Sequence, residues 1–171
     1  MKIIFLSNQL FDYPLKTNKW HVATRVADRG HNVLFVDPPL RFRKVVKQIF
    51  QGRWSPMRIF SAFNQNSSNL KIFTPITKTV SESPDLTNFN VVRMRKRAPE
   101  FFEGDAVLWV YNPSMVEYIN QIPHKLLVYD CVDDYPSMAN YKRLGLSEKI
   151  ARQEEKIAER ADVVLATTKN L

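Results

Sequence analysis

The chain predicts an α/β domain, a Rossmann-like doubly wound parallel sheet flanked by helices, and three observations carry that prediction. Six short apolar runs rich in Val, Ile, Leu and aromatic residues recur from one end to the other. Stretches with helical periodicity separate them, and strands joined through helices imply right-handed crossovers and parallel pairing. The run Lys125-Leu-Leu-Val-Tyr129 then leads straight into Asp130, Asp133 and Asp134. A run so apolar suits the interior of a parallel sheet, and open α/β sheets bind ligands beyond the carboxyl ends of their strands.

Taken in order, the first strand is expected over Lys2–Ser7. A helix over about Asn18–Arg29 follows, because Trp20, Ala23, Val26 and Ala27 share one face, Thr17 or Asn18 can cap its start and Gly30 can stop it. Further strands are expected at Asn32–Asp37, Leu70–Thr74, Ala106–Tyr111, Lys125–Asp130 and Asp162–Thr167. The helices between them are expected at about Arg41–Gln51, about Thr87–Phe102, Ser114–Asn120 and about Ser147–Arg160. In the last of these, Ile150, Ala151, Ile157 and Ala158 oppose a face of interleaved acids and bases, the pattern of a surface helix with one buried stripe. Residues 167–171 read as the start of another helix, so a longer protein is expected, with this chain as one domain over residues 1–171.

Composition narrows the class. With 171 residues, 44% of them hydrophobic, the chain can build one real core. The single Cys131 forms no internal disulfide, and no apolar run approaches the ~20 residues that span a bilayer. Met1–Ser7 resembles the apolar core of a signal peptide, but Asn8 and Gln9 interrupt it and no small-residue cleavage site follows, so a cytoplasmic location is expected. Charge is regional: residues 1–80 carry 13 Lys/Arg against 3 Asp/Glu, and no acid occurs between Pro38 and Ser81. An anionic surface or ligand on that side is implied.

Adjacent carboxylates repel and resist desolvation, so Asp130, Asp133 and Asp134 at a strand end point to proton transfer, metal binding or hydrogen bonding to a polyol. The alternative is that one or two of them hold the following turn, a role expected first of Asp130 through backbone amides. Tyr111 and Asn112 end a neighbouring strand and should face the same crevice. The connection Ser7–Lys19 contains no glycine, which excludes a dinucleotide fingerprint, and no P-loop pattern occurs. That connection is either a solvated surface loop or a place where Asn8, Lys16 and Lys19, with Trp20 behind them, meet an anion or a sugar. His21, His31 and His124 show no metal-ligand spacing with Cys131, so no metal site is expected.

Phe42, Val45, Val46, Ile49 and Phe50 form one apolar stripe beside Arg41, Arg43, Lys44 and Lys47, with Trp54 beyond. Two readings stand. In one, this is a basic amphipathic helix lying on an anionic membrane, with Phe42, Arg43, Lys44, Lys47 and Trp54 towards the lipid. In the other, the stripe packs on the sheet as in any crossover helix. Nucleic acid is not expected as a partner, because no recognised binding module accompanies the basic residues.

Four passages, in order, are similar to the N-terminal domain of GT-B-fold glycosyltransferases of the bacterial cell-surface polysaccharide type. They are Trp20–Pro39 with its Arg-Gly-His and Asp-Pro-Pro, Leu108-Trp-Val-Tyr-Asn-Pro113, Val128-Tyr-Asp-Cys-Val-Asp-Asp134, and Glu154–Thr168. The resemblance implies the acceptor-binding half of a two-domain enzyme of hexosyltransferase type, inactive alone, whose absent C-terminal domain binds a nucleotide-sugar. It implies a saccharide or lipid-linked acceptor, no cofactor or bound metal, and a cytoplasmic site on the inner face of the membrane. Asp133 and Asp134 match the place where many relatives carry a His-Asp pair, with Asp133 standing where they have His. By that analogy Asp133 is the first choice and Asp134 the second for a carboxylate that deprotonates the acceptor or holds the donor sugar. A metal-dependent GT-A enzyme would need Asp-x-Asp spacing, which Asp130-Cys-Val-Asp133-Asp134 lacks. The alternative function is a non-catalytic α/β ligand-binding module.

Overall fold

The computed structural model describes residues 1–52, 63–67, 69–78 and 84–167. Nine strands are described: β1 (Lys2–Leu6), β2 (Asn32–Val36), β3 (Leu40–Arg41), β4 (Phe63–Ser67), β5 (Leu70–Phe73), β6 (Ile76–Thr77), β7 (Val107–Val110), β8 (Leu126–Cys131) and β9 (Val163–Ala166). Six helices accompany them: α1 (Asn18–Asp28), α2 (Phe42–Phe50), α3 (Pro84–Arg97), α4 (Val116–Ile119), α5 (Ala139–Arg143) and α6 (Ser147–Arg160). The main sheet has the order β4-β5-β2-β1-β7-β8-β9. All its pairings are parallel except β4 with β5. The Rossmann-like α/β class expected from the sequence is the fold observed.

Alternation along each strand builds two core layers, because successive side chains point to opposite faces. Ile4 and Leu6 of β1 join Leu108, Val110, Leu127 and Tyr129 under α3, α4 and α6, which contribute Met94, Tyr118 and Ile157. Ile3 and Phe5 face the other way, against Ala23 and Ala27 of α1 together with Phe35, Tyr111 and Val128. Gly30, at φ 82°, turns the chain out of α1 as its position predicted.

The differences from expectation have local causes. The helix expected over Thr87–Phe102 begins earlier, at Pro84, and stops at Arg97, and Pro99–Phe102 forms a separate 3₁₀ turn. Pro99 lacks an N–H and disfavours helical geometry at Ala98, whose φ of −141° and ψ of 59° lie outside the helical region. The segment expected as one helix at Ser114–Asn120 divides into a 3₁₀ turn at Pro113–Met115 and the single turn of α4. Strand β4 carries one apolar residue in Phe-Asn-Gln-Asn-Ser and so gave no strand signal; it is the antiparallel edge partner of β5. The two-residue pair β3 and β6 and the short α5 also lacked a periodic signal.

Acids of the second half of the chain meet bases of the first at the amino edge of the sheet. Lys2 pairs with Glu103 and, at 3.2 Å, with Asp105, and Lys71 pairs with Glu100 at 2.6 Å. The opposite, carboxyl edge carries a different set of groups.

Candidate functional site at the carboxyl edge of the sheet

From β1 the chain winds outward in one direction through β2 and β5, and in the other through β7, β8 and β9. The strand order therefore reverses between β1 and β7, the topological switch point above which α/β sheets open a crevice. Backbone ladders continue past both strand ends, with Ser7 N–H donating to Val36 O at 2.9 Å and Tyr111 N–H to Leu6 O at 2.9 Å. Asn8, Tyr111 and Asn112 are thereby fixed directly over the switch, and β8 brings Asp130 beside them.

Lys19, in the first turn of α1, is the cation of this crevice. It is only 7% exposed, and its ammonium lies 5.7 Å from the centroid of the Tyr111 ring. Burial lowers its pKa below the ordinary lysine value, opposed by the negative charges of Asp133 and then Asp130. The Tyr111 hydroxyl is pushed well above the usual tyrosine range, first by burial and then by the charge of Asp130. Asp130 itself accepts a hydrogen bond from the Trp109 indole N–H at 3.1 Å.

That bond corrects the expectation that Asp130 holds the turn through backbone amides. The turn is held by Asp134, which accepts from Ser137 N–H at 3.3 Å and is exposed. Asp133 is half-buried and its carboxylate accepts no hydrogen bond from the described residues. Of the three acids, it is the one facing a cation without an anchoring bond.

The first loop is tied down rather than roomy. Phe11 N–H donates to the buried Asp37 at 2.7 Å, and Thr74 Oγ1 donates to the other oxygen of the same carboxyl at 2.6 Å. Asn8 Nδ2 donates to the Tyr135 hydroxyl at 2.8 Å, bolting this loop to the turn after β8. The Lys16 ammonium donates to Phe11 O at 2.9 Å and lies 5.1 Å from the Trp20 ring, so it braces the loop. Asn112 is also fully engaged: its Oδ1 accepts from Ser114 N–H at 3.1 Å and Ser114 Oγ at 2.7 Å, and its Nδ2 donates to Ser7 O at 3.4 Å.

Among the described residues, three buried polar atoms near this edge make no hydrogen bond of normal geometry: Asn8 Oδ1, Trp20 Nε1 and Tyr111 Oη, the last with the Asp130 carboxylate acting on it. Each such atom costs about 1–3 kcal/mol if left unpaired, so each is a place where water or a ligand can supply the missing partner. The adjoining recess, lined by Gln9, Phe11, Lys16, Thr17, Lys19 and Trp20, is a shallow open dent that encloses no room for even a water-sized molecule. Ligand pockets run from roughly 300 to 1,000 Å³, so this wall alone encloses no sugar.

Asp37 and Tyr135 were not singled out by sequence reasoning. Asp37 had a usable signal, an acid directly after an apolar strand; Tyr135 had only its place behind the acidic run. A second polar cluster lies on the opposite face, where the Tyr129 hydroxyl donates to Glu154 and Cys131 Sγ lies 3.5 Å from the same oxygen. Burial, with Glu154 adding, pushes the Cys131 thiol up to about 11. Because the folded chain keeps a proton that the unfolded chain loses near the ordinary thiol value of 9.0, this stabilisation is present below pH 9 and disappears as pH rises through 11. Cys131→Ala should flatten that part of the decline in unfolding free energy, measured by urea titration at pH 8 and pH 11. An equal decline in both proteins would refute the assignment.

Of the expected membrane-facing residues, Phe42, Arg43 and Lys47 lie exposed on α2, while Trp54 and the Lys44 side chain fall outside the described residues. No described helix is long and apolar enough to cross a membrane. No family model and no curated protein sequence matches this chain.

Proposed function

We propose that this chain is the acceptor-binding half of a glycosyltransferase that moves a sugar from a nucleotide-sugar to a saccharide or lipid-linked acceptor in cell-surface polysaccharide synthesis. The observation that carries the reading is the crevice at the switch point, where the buried Lys19 lies beside Tyr111 and under the charge of Asp133, a half-buried carboxylate that accepts no hydrogen bond from the described residues. In this reading Asp133 takes the proton from the acceptor hydroxyl, whose oxygen bonds the anomeric carbon as the nucleoside diphosphate leaves. Asn8, Tyr111 and Lys19 orient the acceptor. A second domain closes over the shallow wall and brings the donor. The work is cytoplasmic, at the inner face of the membrane.

Titration of the chain with neutral oligosaccharides, followed by backbone amide shifts, tests this. Shifts confined to the neighbourhoods of Asn8, Lys19, Tyr111 and Asp133 are expected, and a titration that leaves these amides unmoved would sink the reading. Lys19→Met should weaken that binding roughly tenfold or more, the scale of a lost charged hydrogen bond. The same substitution should leave the melting temperature level or higher, since it removes a buried ammonium of similar shape. Lowered stability with intact binding would instead make Lys19 a scaffold residue.

A further inference from the structure

Helix α2 divides its apolar stripe. Val45 is buried and Val46 and Ile49 are half-buried, which satisfies the packing expected of a crossover helix. Phe50 is left 87% exposed and Phe42 48% exposed. At about 100° per residue, Phe50, Arg43 and Lys47 fall within a sector of about 60°, all on the solvent side. Among the described residues no carboxylate pairs with Arg41, Arg43 or Lys47. The sequence around them, from Pro38 to Ser81, contains eight Lys/Arg and no acid.

The fold fixes where this face points. β2 leaves the sheet at its carboxyl edge through Asp37-Pro38-Pro39 into β3, which pairs with β6 and runs directly into α2. Asn90 of α3 clamps β6, donating to Ile76 O at 2.9 Å and accepting from Ile76 N–H at 3.2 Å. Phe89, the residue before Asn90 on α3, is itself exposed. Aromatics protruding among cations on a rigid element combine two attractions that a bilayer surface answers together, anionic headgroups and the acyl boundary.

We infer that the outer face of α2, with Arg43, Lys47 and Phe50 at its centre, docks the protein on an anionic lipid surface. The docking corner lies on the edge of the sheet where the crevice opens, and the inference holds independently of sugar transfer. Co-sedimentation of the chain with phosphatidylcholine vesicles, with and without phosphatidylglycerol, tests it. Binding is expected only with phosphatidylglycerol and should fall steeply with salt. Arg43→Gln with Lys47→Gln should weaken it roughly thirtyfold, at about fivefold per cation near the surface. Phe50→Ser, at a position too exposed to matter for folding, should weaken it by roughly tenfold through lost apolar burial. Equal binding to phosphatidylcholine alone, or unchanged binding by the double variant, would overturn the inference. So would wild-type binding by Phe50→Ser with full displacement by a single-stranded oligonucleotide, which would identify a general polyanion surface instead.

Discussion

Asp133→Asn, made in the enzyme that this chain is proposed to form with a donor-binding domain, should lower kcat by roughly 10²–10⁴-fold and leave the melting temperature unchanged. The magnitude is that of a lost general base. The absence of a stability effect follows from geometry, because the Asp133 carboxylate accepts no hydrogen bond from the described residues and is half-exposed. Asp130→Ala provides the contrast. It leaves the Trp109 indole N–H without its acceptor, so about 1–2 kcal/mol of stability should disappear, or roughly 2–8 °C, with a smaller effect on kcat. Steady-state kinetics and thermal melts on both variants separate chemistry from scaffold. Near-normal kcat for Asp133→Asn would remove Asp133 from the mechanism, and the cluster would then be a structural one.

Much of this site was legible because parallel topology has a simple consequence. Every strand of a parallel sheet ends at the same edge, so any polar residue directly after an apolar run is delivered there whatever its distance along the chain. Asn8, Tyr111, Asn112 and Asp130–Asp134 all follow such runs, and all are found at that edge. The reversal of strand order that makes β1 and β7 neighbours is also what sets Asn8 beside Tyr111.

Side-chain roles were less legible, since they depend on partners far apart in sequence. Nothing near Asn8 announces Tyr135, 127 residues away, and nothing near Phe11 announces Asp37. Asn112 was expected to face a ligand, yet a following Pro-Ser let it cap a 3₁₀ turn, an alternative open to any Asn at a strand end. Lys19 was expected near an anion but not as a buried group. Its burial follows from the start of α1 lying against Tyr111, a packing fact that helical periodicity does not contain. In α2 the periodicity correctly located the stripe, but only tertiary placement decides that Val45 faces in while Phe42 and Phe50 face out.

Asp37→Ala should produce the largest loss of stability of any single substitution considered, about 2–4 kcal/mol, lowering the melting temperature by roughly 5–15 °C. The carboxyl is fully buried and joins three segments, accepting from Phe11 N–H in the first loop and from Thr74 Oγ1 after β5 while standing at the end of β2. Alanine leaves the Phe11 amide unpaired in the interior, and the loop that carries Asn8 and leads to Lys19 loses its anchor. The effect should therefore reach the crevice: hydrogen exchange at the Phe11 amide should accelerate, and saccharide-induced shifts at Asn8 and Lys19 should shrink with it. Asp37→Asn should fall between wild type and Ala, because its Oδ1 still accepts from Phe11 while its amide must face the Thr74 hydroxyl. Thermal melts and amide exchange on the two variants decide the matter. A fall of under about 2 °C for Asp37→Ala, with the Phe11 amide still protected, would mean that loop packing by Phe11 and Trp20 holds the crevice without this carboxyl.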